Sequence, residues 1–229
     1  MLSPAQVIEQ LRAFSGGDLT STLSKIEGSI GGTTIESCIA FLVRVGATNN
    51  ALLAAAEMKR LSGQINVVIH ALGILLCLPH ILEDGEKVEY VSLGAGNTGR
   101  EFDLETSYRV AEFKFIKWQG GPESIRQNGI FKDFFRLADS SSQKRKYLYL
   151  LGIDHPMKFF NGGRALNSVL RDNRLRELFY SRHGQSFAKV REYYQHHKDA
   201  VIIEDMTPWL PELASTIFDT GSASELSET

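Results

Sequence analysis

The first third of the chain places apolar residues at helical spacing. Ser3 followed by Pro4 has the residue types of an N-cap and a first helical position, so a helix is predicted to begin there. Thr33 or Thr34 can cap a second helix, which Gly46 is expected to end. These signals predict an all-helical N-terminal region.

A further helix is predicted to begin at Asn49 or Asn50 and to be interrupted at Gly63. The apolar run that follows, residues 64–82, is roughly one membrane span long. It contains polar residues, including His70, and leads directly into a charged turn. A buried core helix is therefore favoured over a bilayer span, and His70 is interpreted as a hydrogen-bonded core residue.

After residue 85 the apolar period changes to two, which indicates strands. Strands are predicted over residues 86–93, 101–106, 109–118, 147–151 and 201–203, with a helix over 122–138 and mostly helical structure after 151. The expected fold class is α/β, with a small mixed central sheet flanked by helices and a helical N-terminal extension. The expected organisation is a helical segment (1–62) packed on a core (63–218), followed by a polar, disordered tail (219–229).

Composition limits the functional classes. With 229 residues, 43% of them hydrophobic and 23% charged, the chain is typical of a soluble globular protein. Its formal net charge of −2 means that any DNA-binding surface has to be a local basic patch. Cys38 and Cys77 lie in apolar segments and are interpreted as buried thiols in a reducing compartment. The N-terminal residues lack the features of a signal peptide, so a cytoplasmic protein without a membrane partner is expected.

Two neighbouring predicted strands bring acidic and basic side chains together. Glu112 and Lys114 are two residues apart on one strand and therefore share a face. A two-residue turn at Ser107-Tyr108 would place Asp103 opposite Glu112, with their Cβ atoms about 5 Å apart. Two carboxylates at this separation repel each other unless a cation such as Mg²⁺ lies between them. The alternative is a surface hairpin whose acids form cross-strand pairs with Lys and Arg.

These residues and the order of elements resemble the PD-(D/E)XK (restriction-endonuclease-like) nuclease superfamily. Asp103, eight intervening residues and then Glu112-Phe113-Lys114 follow its Asp…(Asp/Glu)-x-Lys pattern, within an α-β-β-β-α-β order over residues 64–151. The resemblance implies that Asp103 and Glu112 ligate Mg²⁺ or Mn²⁺. It also implies that Lys114 positions or helps deprotonate the attacking water and offsets charge in the transition state.

Other residues match this pattern less completely. Phe102 stands where the motif's name has proline, which the superfamily tolerates. Gln127 occupies the place of a glutamine that steadies the catalytic site in many members, and its neighbour Arg126 can reach a phosphate. Many members add a glutamate from the first core helix, for which Glu57 is the nearest candidate. The resemblance implies a metal-dependent nuclease acting on DNA, or on RNA, in defence, restriction or repair; the alternative is a catalytically silent module that binds nucleic acid or a partner protein.

The loop 94–99 matches G-x-G-x-x-G after a strand, which is the pattern of a dinucleotide-binding loop. Such a loop has to open a helix whose N-terminus holds the pyrophosphate. The residues that follow alternate with period two instead. A cofactor-binding enzyme is therefore the third candidate, and the loop is expected to connect two strands, with Asn97 or Arg100 near a nucleic-acid backbone.

Residues 171–198 carry a local charge of +4 with interleaved aromatic side chains. This combination is typical of a nucleic-acid surface and equally of an amphipathic helix pair with a basic outer face. The residues predicted to contact nucleic acid are Arg100, Arg126, Arg174, Arg176, Arg182, Lys189 and Arg191. The sequence leaves open the oligomeric state and the need for a protein partner.

Overall fold

The computed structural model describes residues 3–31, 34–94, 101–118 and 123–215. The chain forms two compact units, Met1–Asn66 and Val67–Thr229. The predicted tail 219–229 lies outside the described residues. So do Asn97 and Arg100 of the glycine-rich loop, and the predicted helix start at residue 122.

The first unit is helical, as the apolar spacing predicts. Its elements are α1 (Pro4–Ser15), α2 (Leu19–Ile30), α3 (Ile35–Arg44) and the beginning of α4 (Asn49–Ile81). The hydroxyl of Ser3 accepts a hydrogen bond from the Gln6 N–H, and the Gln6 side chain accepts one from the Ser3 N–H, which forms the capping box of α1. Helix α2 is an addition to the predicted elements, and the Asp18 carboxylate caps its first turn.

Helix α4 is 33 residues long and continues through Gly63, where a break was predicted. One interior glycine costs a helix only about 1 kcal/mol, which the rest of a long helix can offset. Near its C-terminal end, Ile74 and Ile81 are buried, whereas Leu72 and Leu76 are 53% and 58% exposed. The expectation of a buried helix is therefore wrong for one side of α4. On length and composition alone, α4 is the one helix in the described ranges that could cross a membrane.

The second unit contains a five-stranded mixed sheet in the order β1-β2-β3-β4-β5. The strands are β1 (Val88–Val91), β2 (Leu104–Thr106), β3 (Arg109–Lys114), β4 (Arg145–Leu150) and β5 (Ile202–Asp205). The first three strands pair antiparallel, and β3, β4 and β5 pair parallel. The predicted mixed sheet is confirmed, although β2 begins three residues later and β3 ends four residues earlier than predicted.

Helices cover both faces of this sheet. The helices after β3 are α5 (Ser124–Asp139), α6 (Asp154–Phe160), α7 (Asn173–His183), α8 (Val190–His197) and α9 (Pro211–Ser215). One hydrophobic cluster joins Val110 of β3 to α5, α6, α7 and α8, and the other joins Ala111 and Phe113 of β3 to α4 and α9. Because side chains alternate along a strand, Glu112 and Lys114 share the side of Val110 and belong to the α5 face.

Helix α4 approaches the sheet closely at Gly73. A Cβ atom at this position would overlap the ring of Phe115, so any other residue requires the helix or the ring to shift. His70, one turn earlier, meets the same ring edge-on, with ring centroids 5.8 Å apart. This close approach places His70 of α4 beside Asp103, the residue immediately before β2.

The two cysteines are both free thiols. Cys77 is buried, and burial raises the pKa of its thiol to about 12. Cys38 is only half-buried, so the prediction of two buried thiols holds for Cys77 and is wrong for Cys38.

Candidate functional site

Strands β2 and β3 form a hairpin with the predicted register. Leu104 pairs with Ala111, and the same register places Asp103 opposite Glu112. Asp103 is one of the groups that raise the pKa of Glu112, which places the two carboxyl groups close together. The prediction that these acids face each other across the hairpin is confirmed.

The turn of this hairpin is stabilised by Thr106. Its hydroxyl accepts hydrogen bonds from the N–H groups of Tyr108 and Arg109, at 3.1 and 2.9 Å. Ser107-Tyr108 is not one of the strong two-residue turn sequences such as Asn-Gly. The Thr106 side chain therefore fixes a turn, and with it a register, that the two turn residues alone do not favour.

Asp103 lies immediately before β2. Its Oδ2 accepts a hydrogen bond from the Phe113 N–H at 3.0 Å, so a side chain satisfies a donor on β3 that the backbone of a longer β2 could have bound. Its Oδ1 lies 3.5 Å from Nε2 of His70. Burial raises the pKa of Asp103, but the contacts with His70 and with the Phe113 N–H outweigh burial and hold the pKa below its usual value. Asp103 is therefore the ionised member of the pair.

Glu112 is 7% exposed and carries the opposite shift. Burial, followed by repulsion from the Asp133 and Asp103 carboxylates, raises the pKa of Glu112 to about 9. The Lys114 ammonium opposes this rise without cancelling it. A pKa of about 9 favours the protonated form of Glu112 at neutral pH when no cation is bound.

Lys114 is held by Asp133 of α5, with Nζ 2.7 Å from Oδ2. Burial lowers the pKa of Lys114, but Asp133, Glu112 and Asp103 raise it by more. Asp133 is 6% exposed, and burial raises its pKa even though Lys114 opposes the shift. Lys114 is therefore an ammonium beside the acidic pair. In this form it can offset negative charge on a phosphate but cannot accept a proton from water.

The donor set fits a divalent cation of the magnesium type. Mg²⁺ is usually bound by one or two carboxylates and takes its other ligands from water and phosphate. Asp103 and Glu112 form such a pair, and a bound cation would replace the proton that the raised pKa of Glu112 favours. Within residues 3–31, 34–94, 101–118 and 123–215, no group of three or more His, Cys, Asp or Glu residues is arranged to hold a metal ion. A cation at this site would therefore have two protein ligands, Asp103 and Glu112.

The structure places the other predicted site residues differently. Gln127 lies in α5, and its Oε1 is buried without a hydrogen-bond partner among the described residues. Arg126 pairs with Glu123 and donates to the Lys117 carbonyl at 3.0 Å, so this guanidinium already has protein partners. Arg100 lies outside the described residues.

The predicted basic patch lies on α7 and α8. These helices pack in the same cluster as α5, on the side of the sheet to which Glu112 and Lys114 belong. Arg174 and Arg191 are exposed. Arg182 binds the Asp139 carboxylate at 2.7 Å, so the exposed residues of the patch are not equally available to a phosphate.

Sequence analysis did not predict two residues that contact the Asp103–Glu112–Lys114 site, His70 and Asp133. His70 contacts Asp103 from α4, whereas Glu57, the predicted candidate on that helix, binds Arg60 through both of its carboxylate oxygens. Asp133 had a signal in the sequence, because it falls in the apolar stripe of α5, three residues after the buried Ile130. An acidic residue in such a stripe indicates a buried partner.

Comparisons of the chain with protein-family models, with curated proteins and with solved structures found no match. A function can therefore be proposed only from the residues of the chain and their geometry. The structure establishes the coarser fold class, a mixed α/β protein with a five-stranded sheet and flanking helices.

Proposed function

We propose that this protein is a divalent-metal-dependent nuclease that hydrolyses phosphodiester bonds of DNA, with a PD-(D/E)XK type of site. The observation that carries the proposal is the contact between Asp103 and Glu112 across the β2–β3 hairpin, with the Lys114 ammonium on the same face as Glu112. Perturbed carboxyl groups with a fixed ammonium beside them are typical of catalytic sites.

Each residue has a role in this proposal. Asp103 and Glu112 would hold Mg²⁺ or Mn²⁺, which supplies an activated water and neutralises phosphate charge when bound. His70 and the Phe113 N–H orient the Asp103 carboxylate. Glu112 would release its proton to solvent on binding a cation. The Lys114 ammonium stabilises the negative charge that develops on the phosphoryl oxygens in the transition state.

A purely structural hairpin explains the cluster less well. Cross-strand pairs that only stabilise a sheet match each acid with a base. Here the carboxyl groups of Asp103, Glu112 and Asp133 all act on the Lys114 ammonium, and among the described residues Glu112 has no cationic partner that offsets its burial. Such a group lowers stability unless a proton or a cation neutralises it. A raised pKa at a carboxyl group beside a second carboxylate therefore supports a metal site.

The test is cleavage of plasmid and linear duplex DNA, with single-stranded DNA and RNA as further substrates, in Mg²⁺, in Mn²⁺ and in EDTA. We expect cleavage that EDTA removes and that falls about 10³-fold in Asp103→Asn, an isosteric variant. Thermal unfolding of the variant, measured in parallel, has to show that it is folded. DNA binding without cleavage under any metal condition would instead identify a catalytically silent module.

A further inference from the structure

Asp133 is an acidic residue in an apolar environment. It lies on α5 between residues of the large hydrophobic cluster, among them Ile130, Phe134 and Leu137. A carboxylate is expensive to bury, and replacing a buried ion pair by apolar residues often leaves stability unchanged or raises it. Stability alone therefore does not explain why α5 carries an acid at this position.

The contact made by Asp133 is specific. Its Oδ2 lies 2.7 Å from Nζ of Lys114, and the next carboxyl groups acting on that ammonium are those of Glu112 and Asp103. Without Asp133, the ammonium would be drawn toward these two acids. An ammonium bound to them would occupy the carboxylate charge that a divalent cation needs.

We propose that Asp133 is a positioning residue that holds the Lys114 ammonium beside, and apart from, the Asp103–Glu112 pair. The inference rests on the proposed nuclease function and deepens it. Asp133 keeps two positive charges, the ammonium and the incoming cation, at separate carboxylates. Lys114 thereby remains available to the phosphate while Asp103 and Glu112 bind the metal.

Turnover tests this role with Asp133→Asn and a matched control on the same helix. The control is Asp139→Asn, because Asp139 is also an ion-paired acid of α5 but binds Arg182 and His183 instead of Lys114. At saturating Mn²⁺ we expect Asp133→Asn to lower kcat about 10–100-fold and Asp139→Asn to change it less than about twofold. Asp133→Glu, which keeps the charge, should recover most of the loss.

The same substitution in a Lys114→Ala background separates positioning from a general effect on the fold. If Asp133 acts through Lys114, Asp133→Asn has no further effect on kcat once the ammonium is absent. An equal loss in both backgrounds overturns the proposal, as does wild-type turnover in Asp133→Asn.

A second measurement does not need activity. Calorimetric titration with Mn²⁺ reports whether the Lys114 ammonium competes with the cation for the Asp103–Glu112 pair. We expect weaker Mn²⁺ binding in Asp133→Asn, the wild-type affinity in Asp139→Asn, and recovered affinity when Asp133→Asn is combined with Lys114→Ala. If the wild-type protein binds Mn²⁺ but cleaves no nucleic acid, the nuclease proposal fails while this titration still decides whether Asp133 keeps Lys114 apart from the pair. Wild-type Mn²⁺ affinity in Asp133→Asn overturns the positioning role even if the protein is an active nuclease, and absence of Mn²⁺ binding to the wild-type protein overturns both proposals.

Discussion

Strand β3 has a charged cluster at each end, and the two clusters differ in how completely their charges are matched. At the start of the strand, Arg109 is 3% exposed, and all three nitrogens of its guanidinium donate hydrogen bonds. Their acceptors are Glu86 at 2.6 and 2.7 Å, Glu83 at 3.0 Å and the Tyr149 hydroxyl at 2.9 Å. This cluster is complete within the protein, and its contribution is structural.

At the end of β3, by contrast, carboxyl groups are in excess. Asp103, Glu112 and Asp133 all act on the Lys114 ammonium, and burial together with the neighbouring carboxylates raises the pKa of Glu112 to about 9. The two clusters on this six-residue strand therefore have different effects. The matched cluster around Arg109 stabilises the fold by joining its elements. The unmatched cluster of carboxyl groups retains an affinity for a positive ligand.

The largest effect should come from breaking the complete cluster. Arg109→Ala leaves the buried Glu86 carboxylate without its partner and should lower the free energy of unfolding by about 3–5 kcal/mol. Urea denaturation measures this loss. The control is Arg145→Ala, because Arg145 and its partner Glu83 are both about half exposed and such pairs contribute about 0–1 kcal/mol. Equal losses in the two variants would mean that the Arg109 cluster is no stronger than a surface pair.

The unmatched cluster should lose activity rather than stability. Lys114→Ala is expected to lower turnover by roughly 10²–10³-fold without weakening metal or DNA binding, because the ammonium acts on charge that develops in the transition state. Single-turnover rates at saturating Mn²⁺ measure this effect. Lys144→Ala, which removes an ammonium paired with Glu89 and Glu105, is the control. Unchanged turnover in Lys114→Ala would remove the mechanism as proposed.

The pH dependence of stability and of metal binding should reveal the unmatched cluster through Glu112. The folded-state pKa of Glu112 is about 9, against an ordinary value of 4.5, so the native protein holds a proton that the unfolded chain releases. Metal-free stability should therefore fall as pH rises from about 4.5 to about 9. Over the pH range below 9, metal affinity should rise up to about tenfold per pH unit, with release of about one proton.

Calorimetric titration with Mn²⁺ in buffers of different ionisation enthalpy measures that proton release. In Glu112→Gln the fall of stability with pH should be reduced, because position 112 no longer titrates. Metal affinity that is independent of pH below 9 would contradict the protonated state of Glu112.

The smallest expected effect concerns substrate approach. Arg174 and Arg191 are exposed on α7 and α8, on the side of the sheet that carries Glu112 and Lys114. If they contact DNA, reversing both charges should weaken binding and flatten the log–log salt dependence by about 0.9 for each lost phosphate contact. Fluorescence anisotropy at several salt concentrations measures the slope. Wild-type affinity and slope would mean that the patch is a solvated helix surface, and the metal site would be unaffected by that result.

Local pattern was sufficient to predict the sheet and the hairpin register. A two-residue turn at Ser107-Tyr108 predicted Asp103 opposite Glu112, and the observed pairs Leu104–Ala111 and Glu105–Val110 confirm this register. The ends of the strands did not follow from alternation. Strand β2 begins only at Leu104, because the Asp103 side chain binds the Phe113 N–H that a longer backbone pairing would use. A side-chain hydrogen bond of this kind leaves no periodic signal.

Contacts between distant segments were less accessible to sequence analysis. His70 and Asp103 are 33 positions apart, and Lys114 and Asp133 are 19 positions apart. Each residue has an ordinary local explanation as a core histidine, a strand lysine or a helix acid. These residues come into contact only because α4 and α5 pack on opposite faces of the same sheet.

The packing of Gly73 against Phe115 has a consequence for how the chain tolerates substitution. Position 73 touches no proposed ligand, yet any side chain there forces α4 or the Phe115 ring to move. Either movement would disturb the contact between His70 and the Asp103 carboxylate, because His70 lies one turn away on the same helix and meets the same ring edge-on. In a saturation library selected for activity, position 73 should therefore accept almost nothing but glycine. Its neighbours on the exposed side of α4, Leu72 and Leu76, should vary freely among helix-forming residues.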